Sequence, residues 1–437
     1  MIPSASTSDT LGGQDARTGS TERARIETQS ALREHISKIA AAVFKDTVAK
    51  SLRALVLTGS LARGEAGFDI HEGRCKVRGD SEFLVVLTDV AADPSASRKR
   101  AIIEALHEQL RLAGIDCLVS VGFVRAQYFA SIQPHIFGYE LKTCGVVVTG
   151  DTGILSLIPP FSCRDVPLED GWQLLCNRII EFIEYAHEWI QKPQNVSAEG
   201  RYRLIKLYLD MATSFLLFEA AYEPTYAGRA AKLQILADTT EGQIEPHPLP
   251  LRDFSDLVCL CTEFKISCNL NGDGSADPVM VKITTRESLL GAVDLAHSLW
   301  RWELSKLAGI SQELDDSQMM DQWMKLQPIS RRLPGWAYVL RHSGWHRSWR
   351  NWRRWARSAR KASPRYWLYL AACELFFRLP PLIKEQESAV DRPIDLKTIN
   401  SCLISKRMDL STDVSPLQQI CSELVSNYRE FLEGTRA

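Results

Sequence analysis

The sequence lacks several motifs by which enzyme classes are commonly recognised. Its 437 residues contain no P-loop, no Gly-x-Ser-x-Gly elbow and no His-Glu-x-x-His, and the nine histidines show no metal-ligand spacing. Eleven cysteines are scattered without any Cys-x-x-Cys, and the nearest pair, Cys259 and Cys261, has no second pair at zinc spacing. This odd, unpatterned set indicates a reducing cytoplasm, in which most cysteines are small buried apolar residues.

A strong charge of one sign and a long apolar run are also missing. The formal net charge of −1 argues against general attraction to nucleic acid or membranes, although local patches can still act. Residues 1–25 lack the apolar centre of a secretory signal, and their polar composition predicts a disordered N-terminal tail. The apolar stretch Tyr366–Phe377 is too short, and too interrupted by Glu374, to span a bilayer. Together these features predict a cytoplasmic protein.

What the chain does contain is a pair of short apolar runs separated by a polar excursion. The first run, Leu55–Thr58, ends at Gly59, and the second, Phe83–Leu87, follows Asp80 and Glu82. Each run is short, rich in Leu and Val and bounded by glycine, which predicts buried strands rather than helices. Because side chains alternate along a strand, the two acids are expected to project to the same face.

Two carboxylates held so close repel each other, and a divalent cation removes that cost. Mg²⁺ takes oxygen ligands and is usually held by one or two carboxylates together with substrate phosphates. The turn at Gly59 and Ser60 complements such a site, because glycine lets the backbone approach a phosphate and exposed N–H groups attract its charge. The pattern therefore indicates a metal and phosphate site. The alternative is a surface hairpin whose acids face water.

At these residues the chain resembles the polymerase-beta-like nucleotidyltransferase superfamily. The mark of that family, a Gly-Ser turn followed by an Asp-x-Asp/Glu pair on the next strand, falls on Gly59, Ser60, Asp80 and Glu82. The gap before Asp80 is longer than in many members, which predicts an insertion over residues 65–78. The resemblance implies transfer of a nucleoside monophosphate from a nucleoside triphosphate to an acceptor, with release of pyrophosphate.

The resemblance also implies roles for individual residues. Asp80 and Glu82 would hold Mg²⁺ or Mn²⁺ and carry the catalysis. Gly59 and Ser60 would hold the β- and γ-phosphates, and Arg63 would balance their charge. Relatives modify antibiotics, proteins, RNA ends and other nucleotides, so the acceptor stays open between a small molecule, a protein and an RNA.

Members of the superfamily usually carry a third acidic residue, on a neighbouring strand, that ligates metal or acts as a base. Residues 115–124 predict a third strand with Asp116 on the face of interest, which makes Asp116 the catalytic candidate. Residues 137–151 resemble a hairpin around Gly145, and Glu140 on its first strand is the second candidate. The alternatives are a turn position for Asp116 and a solvated edge position for Glu140. Without a third acid, the protein would bind nucleotide with little turnover.

Strand and helix patterns alternate early in the chain and then give way to helices. Apolar spacing predicts helices over residues 26–52 and 98–112, and with the strands these indicate an α/β (α+β) sheet domain. From Val166 onward strand patterns nearly vanish. We therefore expect a nucleotidyltransferase domain over residues 26–155 and a large all-α domain over residues 156–437. This organisation is similar to bacterial family members in which a helical domain follows the catalytic sheet.

A polar stripe interrupts one apolar helix of the helical domain. Its members recur at helical spacing: Tyr202, Lys206, Asp210 and Thr213. In related nucleotidyltransferases helix lysines contact the triphosphate, and the resemblance implies such a nucleotide-binding role for Lys206. The alternative is a Lys206–Asp210 pair on a solvated face. Arg229 is a comparable candidate for contact with an anion.

A basic and aromatic stretch covers residues 341–365. Its tryptophans recur at helical intervals: Trp345, Trp349, Trp352 and Trp355. Its candidate contacts to a polyanion are arginines: Arg350, Arg353, Arg354 and Arg357. Three interpretations compete, namely contact with RNA or DNA, an interfacial helix on anionic lipid, and tryptophans packed in the core beneath a solvated basic face. The alternative function is a nucleotide- or RNA-binding protein, weak or inactive in catalysis, that uses this helix.

Overall fold

The computed structural model describes residues 12–48, 51–191, 193–240, 247–269, 278–342, 345–384, 399, 402–403 and 416–435. Its described residues fall into two compact units. The sheet unit takes those within Met1–Val166, Pro224–Tyr226 and Thr262–Ser275. The helical unit takes those within Pro167–Glu223, Ala227–Cys261 and Ala276–Ala437.

The described part of the sheet unit contains strands and five complete α-helices. Its strands are β1 (Leu52–Thr58), β2 (Phe68–His71), β3 (Arg74–Leu87), β4 (Ile115–Arg125), β5 (Val146–Gly150) and β6 (Cys268–Asn269). Its helices are α1 (Gly12–Val48), α2 (Gly59–Ala62), α3 (Ala96–Leu112), α4 (Ala126–Ala130) and α5 (Ile136–Cys144). The strands predicted before Gly59 and after Asp80 are therefore confirmed as β1 and the end of β3.

The other described α-helices follow in chain order, and most of them lie in the helical unit. The helix that begins at Tyr226 starts in the sheet unit, and the helix that ends at Ile266 has its last residues there. These helices are α6 (Leu168–Ile183), α7 (Ala186–Gln191), α8 (Ala198–Phe218), α9 (Tyr226–Thr240), α10 (Leu251–Ile266), α11 (Pro278–Ile283), α12 (Arg286–Ala308), α13 (Asp316–Leu326), α14 (Ile329–His342), α15 (Trp345–Lys361), α16 (Pro364–Phe376), α17 (Leu379–Lys384) and α18 (Pro416–Thr435). The chain thus combines an α/β sheet unit with a large helical unit, and the predicted fold class is confirmed. None of the described helices is both long and apolar enough to cross a bilayer.

Strand β3 is the centre of a mixed sheet. Its second half pairs antiparallel with β1, its first half pairs antiparallel with β2, and β4 runs parallel to it. Strand β5 pairs with β1 and β6 pairs with β2, which gives the order β5-β1-β3-β2-β6. The predicted insertion over residues 65–78 therefore forms the hairpin of β2 and the start of β3. Its turn holds Glu72 and Gly73, both with positive φ.

Alternation along β3 divides its side chains between two cores. Phe83, Val85 and Leu87 pack in the core that α1 and α3 cover. Leu84 and Val86 pack in a second core that includes residues of α4 and α5. Glu82 and Asp80 continue the second face toward the start of the strand, where Glu82 is half-buried and Asp80 is exposed. The sheet therefore presents both carboxylates at the open end of one face.

The predicted hairpin over residues 137–151 is wrong in its first half. Residues 136–144 form α5, and only Val146–Gly150 is a strand. His135 caps the helix, because its Nδ1 accepts a hydrogen bond of 2.8 Å from the N–H of Gly138. Gly138 permits a close approach within this helix, since a Cβ atom there would lie 2.7 Å from Ile132 Cγ2. Glu140 consequently lies on a helix.

The first helix and the domain boundaries also differ from expectation. Helix α1 begins at Gly12, within the segment 1–25 that composition predicts as a disordered tail. A helix can continue past its packed part by adding one hydrogen bond per residue, and apolar spacing gives no indication of such an extension. The sheet unit also extends beyond residue 155 to Val166 and includes Thr262–Ser275.

The described core of the helical unit is rich in aromatic side chains. The Trp172 ring of α6 lies with its centroid 6.0 Å from that of Trp323, 5.9 Å from that of Tyr366 and 5.6 Å from that of Tyr369. These residues belong to α13 and α16. Burial of such large rings is the main source of stability in a bundle of this kind.

Candidate functional site

The candidate site begins at the turn where β1 passes into α2. Gly59 has a φ of +71°, in the left-handed region that favours glycine. A Cβ atom at this residue would lie 2.4 Å from Glu82 Oε1. Glycine is therefore required twice, by the backbone conformation and by the carboxylate that lies against the turn.

The sheet register explains why Glu82 reaches this turn. Thr58, the last residue of β1, is the antiparallel partner of Glu82 on β3, so the turn after Thr58 begins beside that carboxylate. Asp80 lies two residues earlier on the same face and is exposed. Ser60 is buried in the turn. The structure thus brings together the four residues of the sequence motif.

This donor set fits a cation that completes its coordination with groups outside the protein. The described residues contain no group of three or more His, Cys, Asp or Glu side chains suited to hold a metal. Asp80 and Glu82 instead offer two carboxylates at one place. Mg²⁺ is commonly bound by one or two carboxylates, with waters and phosphates as further ligands. The residues present fit that ion.

The positions directly beside the acidic pair on β4 are not acidic. Leu118 is the parallel partner of Asp80, and Ser120 is the partner of Glu82. Asp116 pairs with Lys76 beyond a register irregularity, and its side chain is exposed. It shares a face with Leu118 and Ser120 by alternation. Asp116 is thus offset along the strand from the two acids.

Glu140 and Arg63 form an ion pair. Arg63 Nη1 donates to Glu140 Oε2 at 2.7 Å, and Arg63 Nε donates to Glu65 Oε2 at 3.3 Å. Glu65 Oε2 also accepts the backbone N–H of Tyr226 at 2.9 Å, and the Arg63 guanidinium lies 5.2 Å from the Tyr226 ring centroid. The expected solvated edge position of Glu140 is therefore wrong. Arg63 is a buried bridge between acids behind the turn.

A buried lysine that the sequence analysis missed lies beside the acidic pair. Lys265, at the end of α10, is only 3% exposed, and its Nζ donates to the carbonyl of Arg78 at 2.5 Å. A Cβ atom at Gly79 would lie 3.1 Å from Lys265 Nζ and 3.9 Å from Ser60 Oγ. Burial, with the positive charges of Arg63 and Arg78, lowers the pKa of Lys265, against the opposing effects of Tyr226 and Asp80.

Arg78 ties the start of β3 to the segment that carries Lys265. Its Nη1 donates to the carbonyl of Phe264 and to the hydroxyl of Ser267, each at 2.7 Å. Its Nε donates to Asp69 Oδ2 at 2.9 Å, which completes a fork on that carboxylate. These contacts join residues as many as 189 positions apart, and no local pattern predicts them.

Lys206 lies in a polar network of the helical unit. Asp210 accepts a hydrogen bond of 2.6 Å from Arg178 Nε, so the expected Lys206–Asp210 pair is replaced by an Arg178–Asp210 pair. The positive charge of Arg178, followed by burial, lowers the pKa of Lys206. Lys206 Nζ lies 5.8 Å from the Tyr202 ring centroid.

Arg229 is buried within the helical unit. Its Nη1 donates to Thr213 Oγ1 at 2.6 Å, and its Nε donates to the carbonyl of Glu223 at 2.9 Å. Its guanidinium lies 5.2 Å from the Tyr222 ring centroid. Thr213, at one end of the predicted polar stripe, therefore accepts a hydrogen bond from Arg229, and Tyr202, at the other end, lies against Lys206.

The basic stretch forms α15, and its tryptophans differ in exposure. Trp355 is buried, with its ring centroid 6.3 Å from that of Trp336 on α14, as expected if the tryptophans pack in the core. Trp352 is exposed, and the Arg353 guanidinium lies 5.5 Å from its ring centroid. Arg357 is exposed and Arg354 is half-buried. The described side chains exclude residues 343–350, and with them the predicted Trp345, Trp349 and Arg350.

Comparison with known proteins gives one distant structural likeness. No protein-family model and no curated protein matches the chain. One solved structure that it resembles is the crystal structure of spectinomycin adenyltransferase AAD(9) from Enterococcus faecialis with ATP and spectinomycin. The two are 12% identical with a TM-score of 0.33, over 61% of this chain and 98% of that one. At that level the likeness assigns neither a family nor an activity to this chain.

Proposed function

We propose that this protein is a metal-dependent nucleotidyltransferase, which transfers a nucleoside monophosphate from a nucleoside triphosphate to an acceptor. The observation that carries the proposal is the approach of the Glu82 carboxylate to the Gly59 turn, with the exposed Asp80 on the same face. Acids beside a glycine turn combine the two requirements of a metal-bound triphosphate, which are oxygen ligands and open backbone N–H groups.

Each residue of the site has a part in this proposal. Asp80 and Glu82 would hold Mg²⁺ or Mn²⁺, which when bound would neutralise charge on the triphosphate. Gly59 leaves the backbone open to the β- and γ-phosphates, beside the hydroxyl of Ser60. Lys265 places a positive charge next to Ser60, and its attachment to the Arg78 carbonyl fixes the peptide before Gly79 and Asp80.

The reaction is a displacement at the α-phosphorus. A bond forms between an oxygen of the acceptor and the α-phosphorus, and the bond from that phosphorus to the bridging oxygen of the β-phosphate breaks, so that pyrophosphate leaves. The acceptor hydroxyl must lose its proton to a base. Asp116 is the acid on the matching face of β4, and we assign it that role. Arg63 supports the turn through Glu65 and Glu140.

Replacement of Asp80 tests the proposal. The protein is incubated with each α-labelled nucleoside triphosphate, Mg²⁺ and a cell extract, and both labelled product and pyrophosphate are measured. Asp80→Asn should abolish transfer of label while circular dichroism and thermal unfolding stay unchanged, because Asp80 is exposed. Asp46→Asn, at an exposed position on α1, is the matched control and should retain transfer. Retained transfer by Asp80→Asn would refute the proposal.

A second function is favoured by the residues on β4. Because Leu118 and Ser120 stand where acids would directly flank Asp80 and Glu82, the protein would bind a nucleotide with little or no turnover. Metal-dependent release of pyrophosphate separates the two functions, whereas nucleotide binding alone does not. Ser120→Asp adds a carboxylate opposite Glu82, and an increase in release would indicate that a missing acid limits the reaction.

A further inference from the structure

One segment of the helical unit concentrates positive charge. Residues 322–373 contain no aspartate or glutamate, although the whole chain has a net charge of −1. The same residues include twelve basic side chains: Lys325, Arg331, Arg332, Arg341, Arg347, Arg350, Arg353, Arg354, Arg357, Arg360, Lys361 and Arg365. A segment of one sign of charge attracts surfaces of the opposite sign.

Helices α14 and α15 pack against each other through their aromatic side. Trp336 Nε1 donates to the carbonyl of Ala362 at 2.8 Å, and its ring contacts that of the buried Trp355. Arg332 Nη1 donates to the carbonyl of Arg360 at 2.5 Å. The core therefore buries some of the tryptophans at this contact.

Large apolar side chains are exposed along the same segment. They are Leu326 (58%), Ile329 (67%), Leu333 (56%), Leu340 (49%) and Trp352 (48%). Ile329, Leu333 and Leu340 follow each other at four and seven residues, so they form one stripe of α14. A single exposed leucine needs no explanation, but a stripe of them beside concentrated charge does.

Cationic side chains are exposed on the neighbouring helix α15. Arg353, Arg357 and Arg360 are exposed on α15, and no ion pair between described residues includes any of the three. Arg353 lies over the exposed Trp352 ring. Arginine and tryptophan side by side, with exposed aliphatic side chains on a helix packed against them, are the composition of a surface that lies in a membrane interface.

We propose that α14 and α15 bind the surface of an anionic lipid bilayer. The exposed aliphatic side chains and Trp352 enter the boundary of headgroups and acyl chains, while the arginines contact lipid phosphates. A nucleic-acid surface would use the arginines and stacked aromatic rings but gives no role to Ile329, Leu333 and Leu340. A second copy of the chain is disfavoured, since its own positive segment repels this one. The proposal is independent of nucleotidyl transfer.

Flotation with large unilamellar vesicles tests the proposal on the full chain. Vesicles of phosphatidylcholine are compared with vesicles that also contain about 30% phosphatidylglycerol, since anionic lipid supplies the attraction. The protein should float with the anionic vesicles only, and less so as NaCl rises from about 0.1 M to about 1 M, because salt screens surface charges. Equal binding to both vesicles, or to neither, would overturn the proposal.

Two variants separate the charged and apolar contributions. Arg353→Glu with Arg357→Glu should weaken vesicle binding by about tenfold or more, because each basic residue at an anionic surface contributes measurably. Ile329→Ser with Leu333→Ser should weaken it by a similar factor through lost insertion. Lys45→Glu with Arg100→Glu is the charge control, and Val90→Ser with Ile235→Ser is the apolar control, all at positions outside this segment. The controls should bind as the unmodified protein does.

The same variants distinguish a lipid surface from RNA. Binding to a short single-stranded RNA is measured by fluorescence anisotropy at the salt concentration of the flotation. RNA binding that falls with the arginine variant, together with vesicle binding that is unaffected by the aliphatic variant, would overturn the proposal in favour of RNA. Thermal unfolding shows whether each variant is folded. If the variant Ile329→Ser with Leu333→Ser does not fold, Leu326→Ser, at an exposed helix end, replaces it as the aliphatic variant.

Discussion

Residue 59 shows how one position can serve the backbone and the chemistry together. Its φ of +71° permits glycine without strain, and the space where a Cβ atom would lie is occupied by the carboxylate of Glu82. The clash is with the far end of a flexible side chain. A larger residue would therefore displace the carboxylate before it displaced the strand.

Gly59→Ala should reduce nucleotidyl transfer strongly while costing about 1–2 kcal/mol in the free energy of unfolding, because alanine is strained at this φ. Gly64→Ala is a matched control, since Gly64 has the same φ of +71° but nothing within 4 Å of its Cβ position. Label transfer and urea denaturation measure the two effects. Equal activity in the two variants would contradict a role for Glu82 at the turn.

Glu303 is a carboxyl group whose burial in the helical unit disfavours its charged form. It is fully buried on α12, and neither of its carboxylate oxygens has a well-placed hydrogen-bond partner among the described residues. Burial raises its pKa from 4.5 to about 8, against a smaller opposing effect of the Ser214 hydroxyl. The folded protein therefore keeps this group neutral at pH values where the unfolded chain ionises it.

Stability should fall as pH rises from about 4.5 to about 8, because over that range the unfolded state releases a proton that the folded state retains. Glu303→Gln should remove this component, so that the free energy of unfolding falls less between pH 5 and pH 8 in the variant than in the unmodified protein. Glu313→Gln, at an exposed position, is the control and should leave the pH dependence unchanged. Urea denaturation at both pH values measures it, and an unaltered dependence in Glu303→Gln would contradict the argument.

At the scale of elements, the start of β3 is held by a segment distant in sequence. Arg78 bonds to Asp69 on β2 and to Phe264 and Ser267 at and after the end of α10. This places the strand, and thus Asp80, relative to the turn at Gly59. The acidic pair is consequently positioned by contacts that lie outside its own hairpin.

Arg78→Lys should lower the free energy of unfolding by about 1–3 kcal/mol, since lysine cannot reproduce a fork that bonds a carboxylate and two further oxygens. Arg111→Lys removes a similar fork to Glu108 at an exposed position and should cost little. Chemical denaturation of both variants provides the comparison. A cost at Arg78 no greater than that at Arg111 would show that the clamp is not needed.

The same elements show what the sequence can and cannot predict. Strands β1 and β3 follow from short apolar runs with glycine boundaries, and the common face of Asp80 and Glu82 follows from side-chain alternation along a strand; both are local properties. Helix α5 was missed because Gly145, which follows the end of the helix, resembles the turn of a hairpin that joins two short apolar runs. Lys265 was missed because it reaches the site through contacts with residues far away in sequence, which no periodicity encodes.

At the scale of the whole molecule, net charge conceals a strong internal asymmetry. The chain is nearly neutral overall, yet residues 322–373 carry basic side chains without a single acid. Average charge governs solubility, whereas local charge governs which surfaces a protein meets. The net charge of −1 therefore gave no indication of the surface on α14 and α15.

A fragment that ends at Val166 should have a lower free energy of unfolding than the full chain. It lacks β6, Lys265 and the Arg78 acceptors on Phe264 and Ser267, all of which belong to the sheet unit. We expect fragment 1–166 to unfold at lower urea concentration than the intact protein and to show no nucleotidyl transfer. Urea denaturation followed by circular dichroism tests this, and a fragment as stable as the full chain would contradict the assignment of Thr262–Ser275 to the sheet unit.

The chain passes from one unit to the other and back more than once, at Val166, at Pro224–Tyr226 and around Thr262–Ser275. Modules that meet at a single junction can be exchanged by one recombination event, with each half folding as before. Here a crossover at any one of these junctions would divide at least one of the two units between two parent chains. A single crossover therefore cannot exchange one unit while leaving the other whole.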